Sequence, residues 1–252
     1  MLDYDKEADV YDASRGGEPR AEAAADAVLG LLPARVGRLL DVGCGTGIVT
    51  RRLAAALPAA RVTGVDRTRG MARTAAARLP GAVLLADSRA LPFPDAAFDA
   101  VTSVWLLHLL DEPGVRAAVA ECARVLRPGG VYVTTVDKAA SHNVGSDIDA
   151  VLAARPRTPA RDAADRVARR AAEHGLLPAG QAGFPGRGQG RSPRRTIADL
   201  RRGWFVTLPP GDPLTERFAT RLAQLPDQDR PRPDPVFHLR AFRKPGKPGK
   251  PG

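Results

Sequence analysis

Leu39-Leu40-Asp41-Val42-Gly43-Cys44-Gly45-Thr46-Gly47-Ile48-Val49-Thr50 is the stretch on which the reading of the whole chain turns. Its first four residues are apolar apart from Asp41, and its three glycines lead into 48–57, which has the apolar spacing of a helix. A buried strand that ends in a glycine turn and runs into a helix accounts for that pattern. Glycine suits such a turn because it takes positive φ without strain and leaves no Cβ between the main chain and a ligand. The turn is therefore a candidate nucleotide cradle, and its spacing narrows the ligand. Dinucleotide sites use Gly-x-Gly-x-x-Gly with a pyrophosphate on the helix N-terminus. Here Gly43, Gly45 and Gly47 alternate behind a carboxylate, Asp41. A carboxylate repels a pyrophosphate and favours a cationic ligand. S-adenosylmethionine, with an ammonium, a sulfonium and no phosphate, has that character. A plain tight turn and an NAD-type site are the competing readings of the same residues.

Working outward, 60–65 reads as a second strand with Asp66 at its end, 21 residues beyond Gly45. That is where a carboxylate takes the ribose hydroxyls of a nucleoside. A helix N-cap is the alternative role. Thr68 is placed to cap a helix over 69–79, and 82–86 is a third apolar strand that also ends in an acid, Asp87. Residues 98–104 make a fourth strand. A helix over 112–126 stops at Arg127-Pro128-Gly129-Gly130, ahead of a fifth strand over 131–136. Strands ending in the glycine turn, Asp66 and Asp87 bring ligand groups to one edge of a parallel sheet, where open α/β sheets bind ligands. Upstream, Tyr4 and Tyr11 fall on one side of a short helix, and 18–32 is an alanine-rich helix that Pro33 ends. Past the fifth strand, helices are expected over 147–154, 161–174, 197–205 and 213–225, with Gly175 as a C-cap. A broken strand is expected over 176–189 and a last strand over 236–242. The Lys-Pro-Gly repeats of 244–252 cannot pack a core and should be disordered.

The 252 residues suffice for one α/β domain with additions and a sizeable core. No apolar run reaches the length of a membrane span, and the N-terminus lacks the pattern of a signal peptide, so a soluble cytoplasmic protein is expected. Cys44 and Cys122 support neither a disulfide framework nor a zinc site. The net charge of +10 is uneven: residues 1–150 hold 17 basic against 19 acidic side chains, leaving 21 against 9 for 151–252. That half either attracts an anionic substrate or nucleic acid, or reflects a biased composition. No aromatics interleave the basic cluster at 187–202 as single-strand binding requires, so nucleic acid is not the expected partner.

These motifs resemble class I S-adenosylmethionine-dependent methyltransferases, in particular the broad UbiE-like, type 11 group. The glycine turn resembles the family's first signature motif. Tyr11-Asp12-Ala13-Ser14-Arg15 looks like the end of the flap that many members fold across the cofactor. Asp87-Ser88 followed by Leu91-Pro92-Phe93-Pro94 resembles the adenine-binding turn, and Phe98-Asp99 and Arg127-Pro128-Gly129-Gly130 are further points of likeness. The resemblance covers residues 1 to about 137. It implies a doubly wound, mostly parallel, seven-stranded Rossmann-like sheet whose last strand is antiparallel, with an N-terminal helical flap and a small C-terminal lid. The implied division is 1–32 flap and first helix, 33–138 cofactor core, 139–243 substrate-side helices and last strands, and 244–252 tail. The implied cofactor is S-adenosylmethionine, held by Asp41, Gly43, Cys44, Gly45, Gly47, Asp66, Arg67, Met71, Asp87, Ser88 and Val104, with Tyr11 and Arg15 by its methionine end. Met71 and Leu91 wall the purine or belong to the core, and Tyr11 contacts the cofactor or only packs. Asp99 positions the chain instead of touching the cofactor.

Transfer from a sulfonium is an in-line displacement in which the protein mainly aligns the acceptor. Placement alone is worth about 7–11 kcal/mol. A base is needed only where the acceptor must lose a proton. His108, just past the fourth strand, is the candidate base, with packing as its alternative and His142 as second choice. Trp105, Phe184, Trp204 and Phe205 either wall an acceptor pocket or pack the core. The expected partner is a small-molecule acceptor, with no membrane partner, no metal, and a monomer or homodimer. Competing functions are RNA methylation and a cofactor-binding protein without transfer.

Overall fold

The computed structural model describes residues 4–155, 159–203 and 212–246, and of Lys6 the backbone alone. Two one-turn helices, α1 (Tyr4–Glu7) and α2 (Tyr11–Ser14), precede α3 (Gly17–Leu29). There follow β1 (Arg38–Val42), α4 (Ile48–Ala56), β2 (Arg61–Asp66), α5 (Arg69–Arg78), β3 (Val83–Leu85), β4 (Phe98–Ser103), α6 (Glu112–Val125) and β5 (Leu126–Val136). The rest comprises α7 (Lys138–Ser141), α8 (Asp147–Leu152), α9 (Ala164–Glu173), β6 (Leu177–Pro185), α10 (Pro193–Arg201), α11 (Pro213–Ala223) and β7 (Val236–Arg243).

The seven strands form one sheet in the order β3-β2-β1-β4-β5-β7-β6. Strands β1 to β5 pair in parallel, and β7 runs antiparallel between β5 and β6. The chain builds outward from β1 to β3, then returns to place β4 on the other flank of β1. That reversal opens a crevice beyond the C-terminal ends of β1 and β4, the place where such sheets take ligands. It brings the glycine turn and the segment after β4 together.

Both sheet faces are covered, so the central strands read as unbroken apolar runs. Leu40, Val101 and Tyr132 face α6 and α9, packing with Val115, Val119 and Val167. Their neighbours Leu39, Ala100 and Val133 face α3 and α4, packing with Val28, Val49 and Leu53. A third, separate core joins Ile148, Val151 and Leu152 of α8 to Leu200 of α10 and to Phe218 and Leu222 of α11. This small helical lid comes from two insertions, one between β5 and β6 and one between β6 and β7.

Several elements differ from expectation. The N-terminal helix breaks after Glu7, yet Tyr4 and Tyr11 still meet, ring centroids 6.0 Å apart. Helix α3 ends at Leu29 and tightens through Leu31 N–H to Val28 O and Leu32 N–H to Leu29 O before Pro33. Thr68 makes no side-chain cap on α5; the Gly70 N–H instead donates to Asp5 Oδ1 of α1 at 2.6 Å, a cap supplied from outside the helix. Strand β3 lies at the sheet edge, which leaves Leu84 and Leu85 exposed. Helix α10 begins at Pro193 because Ser192 accepts from the Arg195 N–H; the expected end at Phe205 lies outside the described residues. Lys244 is anchored, its ammonium donating to Ala123 O and Leu126 O, while 247–252 lie outside the described residues.

Candidate active site

The turn after β1 is held by the strand beside it. Gly43 and Cys44 N–H donate to Val65 O at 2.8 and 2.9 Å, and Gly45 N–H donates to Asp66 Oδ2 at 2.9 Å. Asp66 Oδ1 accepts from Thr68 N–H at 2.8 Å. Asp66 thus both caps locally and braces the turn, and each of its oxygens keeps a lone pair for a ligand hydroxyl. The glycines serve different ends. A Cβ at Gly47 would lie 3.0 Å from Ala75, so this residue lets α4 approach α5. A Cβ at Gly45 would meet nothing within 4 Å, so the space above the turn there is open to a ligand.

Asp41 departs from the expected role. Its carboxylate is buried, accepting from Thr50 Oγ1 at 2.6 Å and Thr102 Oγ1 at 2.8 Å, and burial raises its pKa. The β1–β4 register sets Asp41 against Thr102, so the carboxylate ties the turn to α4 and β4. It does not present itself to a cationic ligand. Asp87 is engaged by Arg89, whose guanidinium lies 2.6 Å from Oδ2 and holds the carboxyl below its ordinary range. Ser88, Met71, Val104 and Cys44 are buried near the strand ends, Leu91 belongs to the α6-side core, and Arg67 is exposed. Asp99 accepts from Gly37 and Arg38 N–H and pairs with Arg127, the positioning role expected for it.

The N-terminal flap lies across this cradle. Asp12 accepts from Thr46 Oγ1 at 2.7 Å and pairs with Arg78 at 2.7 Å, while Asp5 caps α5. Tyr4 reaches the Asp66 side, its phenol pushed up to about 12 by burial and by the charges of Tyr11 and Asp66. Arg15 packs over the Tyr11 ring, 5.8 Å from its centroid. The flap also touches the lid, since Arg195 Nη2 of α10 donates to Ser14 O at 2.8 Å.

Beyond β4 and β5 the surroundings change sign. Trp105 sits at φ +58° with its N–H donating to Thr135 Oγ1, and its ring packs against Phe184 and Phe237, each 5.6 Å away. The Arg20 guanidinium covers that ring at 4.1 Å. Lys138 Nζ lies 3.2 Å from His142 Nε2 and 5.5 Å from the Phe237 centroid. Burial, and then Arg15, Arg20 and Arg191, lower the Lys138 ammonium to about 7, with Asp162 pulling the other way. His108 is held well below its usual range by burial, Lys138 and Arg15, and its buried Nδ1 has no hydrogen-bond partner among the described residues. His142 is likewise depressed by burial, Lys138, Arg191 and Arg15.

The methyltransferase domain family matches residues 39–130, from β1 through the turn before the main run of β5. Residues 39–130 are thus similar to a methyltransferase domain. A malonyl-[acyl-carrier protein] O-methyltransferase of Hahella chejuensis is 42% identical over 95 residues, 36% of this chain and 33% of its own. A ubiquinone/menaquinone biosynthesis C-methyltransferase, UbiE, of Desulfotalea psychrophila is 38% identical over 97 residues, 37% of this chain and 39% of its own. The chain thus matches only a third to two-fifths of the length of these curated relatives. Among solved structures, the [4+2]-cyclase SpnF shares the fold across 97% of this chain and 94% of its own, with TM-score 0.61 and 23% identity.

The structure brings Gly43, Gly45, Gly47, Asp66, Tyr11 and Arg15 of the methyltransferase domain and its flap to one crevice, and turns Asp41 inward. Trp204 and Phe205 lie outside the described residues, and Phe184 stands against Trp105. Sequence reasoning placed Tyr4 beside Tyr11 and Asp12 within the flap segment without giving either a role, and it missed Asp5 on the flap and Arg20, Lys138 and Arg191 on the far side. Lys138 carried a signal, because it follows the C-terminal end of a parallel strand at the ligand edge of the sheet. Arg20 and Arg191 carried none that separates them from the many other arginines.

Proposed function

We propose that the chain transfers the methyl group of S-adenosylmethionine to an O, N or C nucleophile of a small-molecule acceptor. The observation that supports this most is the Gly43–Gly47 turn, braced by Asp66 and open at Gly45, at the switch point of a sheet whose residues 39–130 match the methyltransferase domain. When bound, the cofactor supplies an already activated methyl group. In this reading Asp66 takes the ribose hydroxyls, Asp87 and Ser88 lie by the adenine, and Met71 stands against it. Tyr11 and Arg15 close on the methionine end, and Tyr4 covers the sugar side. Asp41 acts through Thr50 and Thr102 to hold the turn in shape.

The flap excludes water from the transfer, and the segment after β4 faces the acceptor. His108 suits a hydrogen-bonding role better than proton abstraction, since an imidazolium beside Lys138 and Arg15 is opposed by their charge. The acceptor enters from the lid side, so the division into flap, cofactor core and substrate-side helices is also one of labour. A cytoplasmic monomer or homodimer acting on a small molecule, without nucleic-acid or membrane partners, completes the reading. Calorimetric titration with S-adenosylmethionine and S-adenosylhomocysteine, followed by an S-adenosylhomocysteine release assay over a metabolite panel, tests it. Saturable binding with turnover on one acceptor is expected. Failure of the parent protein to bind either nucleoside overturns it.

A further inference from the structure

We infer that Lys138, held by His142 and Phe237 beside Trp105, is the general base of the transfer, and that the acceptor therefore presents a hydroxyl or an amine. The inference rests on the methyltransferase reading and deepens it, by naming the residue that takes the acceptor's proton and with it the class of nucleophile.

The backbone delivers Lys138 to the side of the crevice that faces the acceptor. Strands β4 and β5 lie side by side, and beyond their C-terminal ends each leads to a residue in the left-handed region, Trp105 at φ +58° and Asp137 at φ +53°. Residues with a Cβ seldom adopt that conformation, so both positions must be held by their surroundings. Trp105 N–H donates to Thr135 Oγ1 at 2.7 Å, Asp137 N–H to Asp162 O at 2.9 Å, and Lys138 N–H to Asp162 Oδ2 at 2.9 Å. The Phe237 ring then joins the two strand ends: it stands 5.6 Å from the Trp105 ring, 5.5 Å from the His142 ring and 5.5 Å from Lys138 Nζ. Lys138 as a whole residue keeps some exposed surface, as a base that meets a substrate requires.

The surroundings of Nζ suit an amine better than an ammonium. Its hydrogen-bond partner is His142 Nε2 at 3.2 Å, and Asp162, the carboxylate that bears on it, spends Oδ2 on the Lys138 backbone. Arg15 after α2, Arg20 of α3 and Arg191 before α10 bear on it as well, and these are partly offset in turn: Asp199 bears on Arg15 and Arg191, Asp149 on Arg191, and Asp12 on Arg20. Burial is the larger cause, and with those charges it lowers the ammonium to about 7, where a base works best at neutral pH. His108 and His142 are pushed lower still, chiefly by burial, and are too weakly basic to take the proton themselves. A neutral His142 instead accepts from one N–H of the amine and leaves its lone pair for the acceptor, which makes His142 a positioning residue. In the step, the acceptor's oxygen or nitrogen bonds to the methyl carbon as the carbon–sulfur bond breaks with its electron pair staying on sulfur. The acceptor's proton passes to Lys138 Nζ, and the ammonium later returns it to water.

The test has two arms, and the first needs no acceptor. The lysines are few, Lys6, Lys138, Lys244, Lys247 and Lys250, so trace labelling of the full chain with acetic anhydride, read peptide by peptide, follows each amine separately. With the chain saturated with S-adenosylhomocysteine, Lys138 should titrate near pH 7, and Nα-acetyllysine amide in the same tube near about pH 10.4. The second arm uses the acceptor found in the release assay. The parent's single-turnover rate should rise with pH through about 7, and Lys138→Met should lose that limb. Lys138→Met and Lys138→Arg should each slow the single turnover by about a hundredfold or more and keep S-adenosylhomocysteine affinity within about threefold. Arginine keeps the charge but takes no proton, so its failure separates a base from a cation that only binds. His142→Leu should lower kcat about tenfold with KM little changed, and His142→Gln, whose amide oxygen still accepts, should recover most of the loss. A labelling midpoint for Lys138 above about pH 9, a Lys138→Arg turnover within about threefold of the parent, or methylation at carbon alone overturns the base and leaves the cofactor site intact. Failure of the parent to bind S-adenosylhomocysteine instead sinks the methyltransferase reading.

Discussion

The two halves of the crevice are built with opposite charge. On the β1–β3 side, carboxylates organise everything: Asp66 braces the turn, Asp41 ties it to α4 and β4, and Asp5 and Asp12 latch the flap over it. On the β5 side, the Lys138 ammonium is buried where Arg15, Arg20 and Arg191 bear on it and Asp162 opposes them, and the Arg20 guanidinium covers the Trp105 ring. The first half is thus fixed by carboxylates that accept from backbone and side-chain donors, and the second by buried cations packed against aromatic rings.

That contrast can be broken most decisively at Asp66. On the proposed reading, replacing it with Ala removes two charge-assisted ribose contacts along with the brace on Gly45, so S-adenosylhomocysteine affinity should fall by about 3 kcal/mol, roughly a hundredfold. Calorimetry reads this directly, and a loss under threefold would detach Asp66 from the cofactor. Thr50→Ala comes next. It withdraws one of two donors from the buried Asp41 carboxylate and should cost about 1–3 kcal/mol in urea denaturation, with a smaller share falling on cofactor binding. Equal losses in stability and binding would mean that Asp41 meets the ligand after all.

Asp5→Ala tests the latch. It uncaps α5 at Gly70, so stability should drop by about 1 kcal/mol, while S-adenosylhomocysteine dissociates several-fold faster in stopped-flow. An unchanged dissociation rate would separate the flap from cofactor retention. The smallest effect sharpens the basic half. The Lys138 ammonium is lowered to about 7 in the fold by burial, Arg15, Arg20 and Arg191, against Asp162, whereas a free lysine keeps its proton to about pH 10.4. Between those values the unfolded chain binds the extra proton, so this group makes stability rise with pH. His108 and His142, also depressed, complete their contribution by about pH 7. Cys44, whose thiol burial raises, opposes the trend only above about pH 8.5. Lys138→Met should therefore flatten the rise of melting temperature between pH 7 and 8.5, and an unaltered slope would place Lys138 in solvent.

Elements whose pattern is local were legible in advance. Strand β1, the glycine turn, α4, Asp66 at the end of β2 and the strand β7 were all read from alternation, glycine spacing and stop signals, which act over a few residues, whereas the antiparallel direction of β7 came from the family resemblance. The inward turn of Asp41 was not, because Thr102, its second donor, lies 61 residues away on β4. The cap on α5 was misplaced for a similar reason: Thr68 has the right chemistry, but Asp5 arrives from a flap 65 residues distant.

By itself the sequence determined the parallel sheet, the cradle and the acid that braces it, since strand burial and turn geometry follow from residues adjacent in the chain. Only the tertiary structure decided that two insertions form one lid core and that Arg15, Lys138 and Arg191 share an environment. The effect of a charge depends on what lies within a few ångströms of it. For side chains this far apart in sequence, folding alone sets that distance.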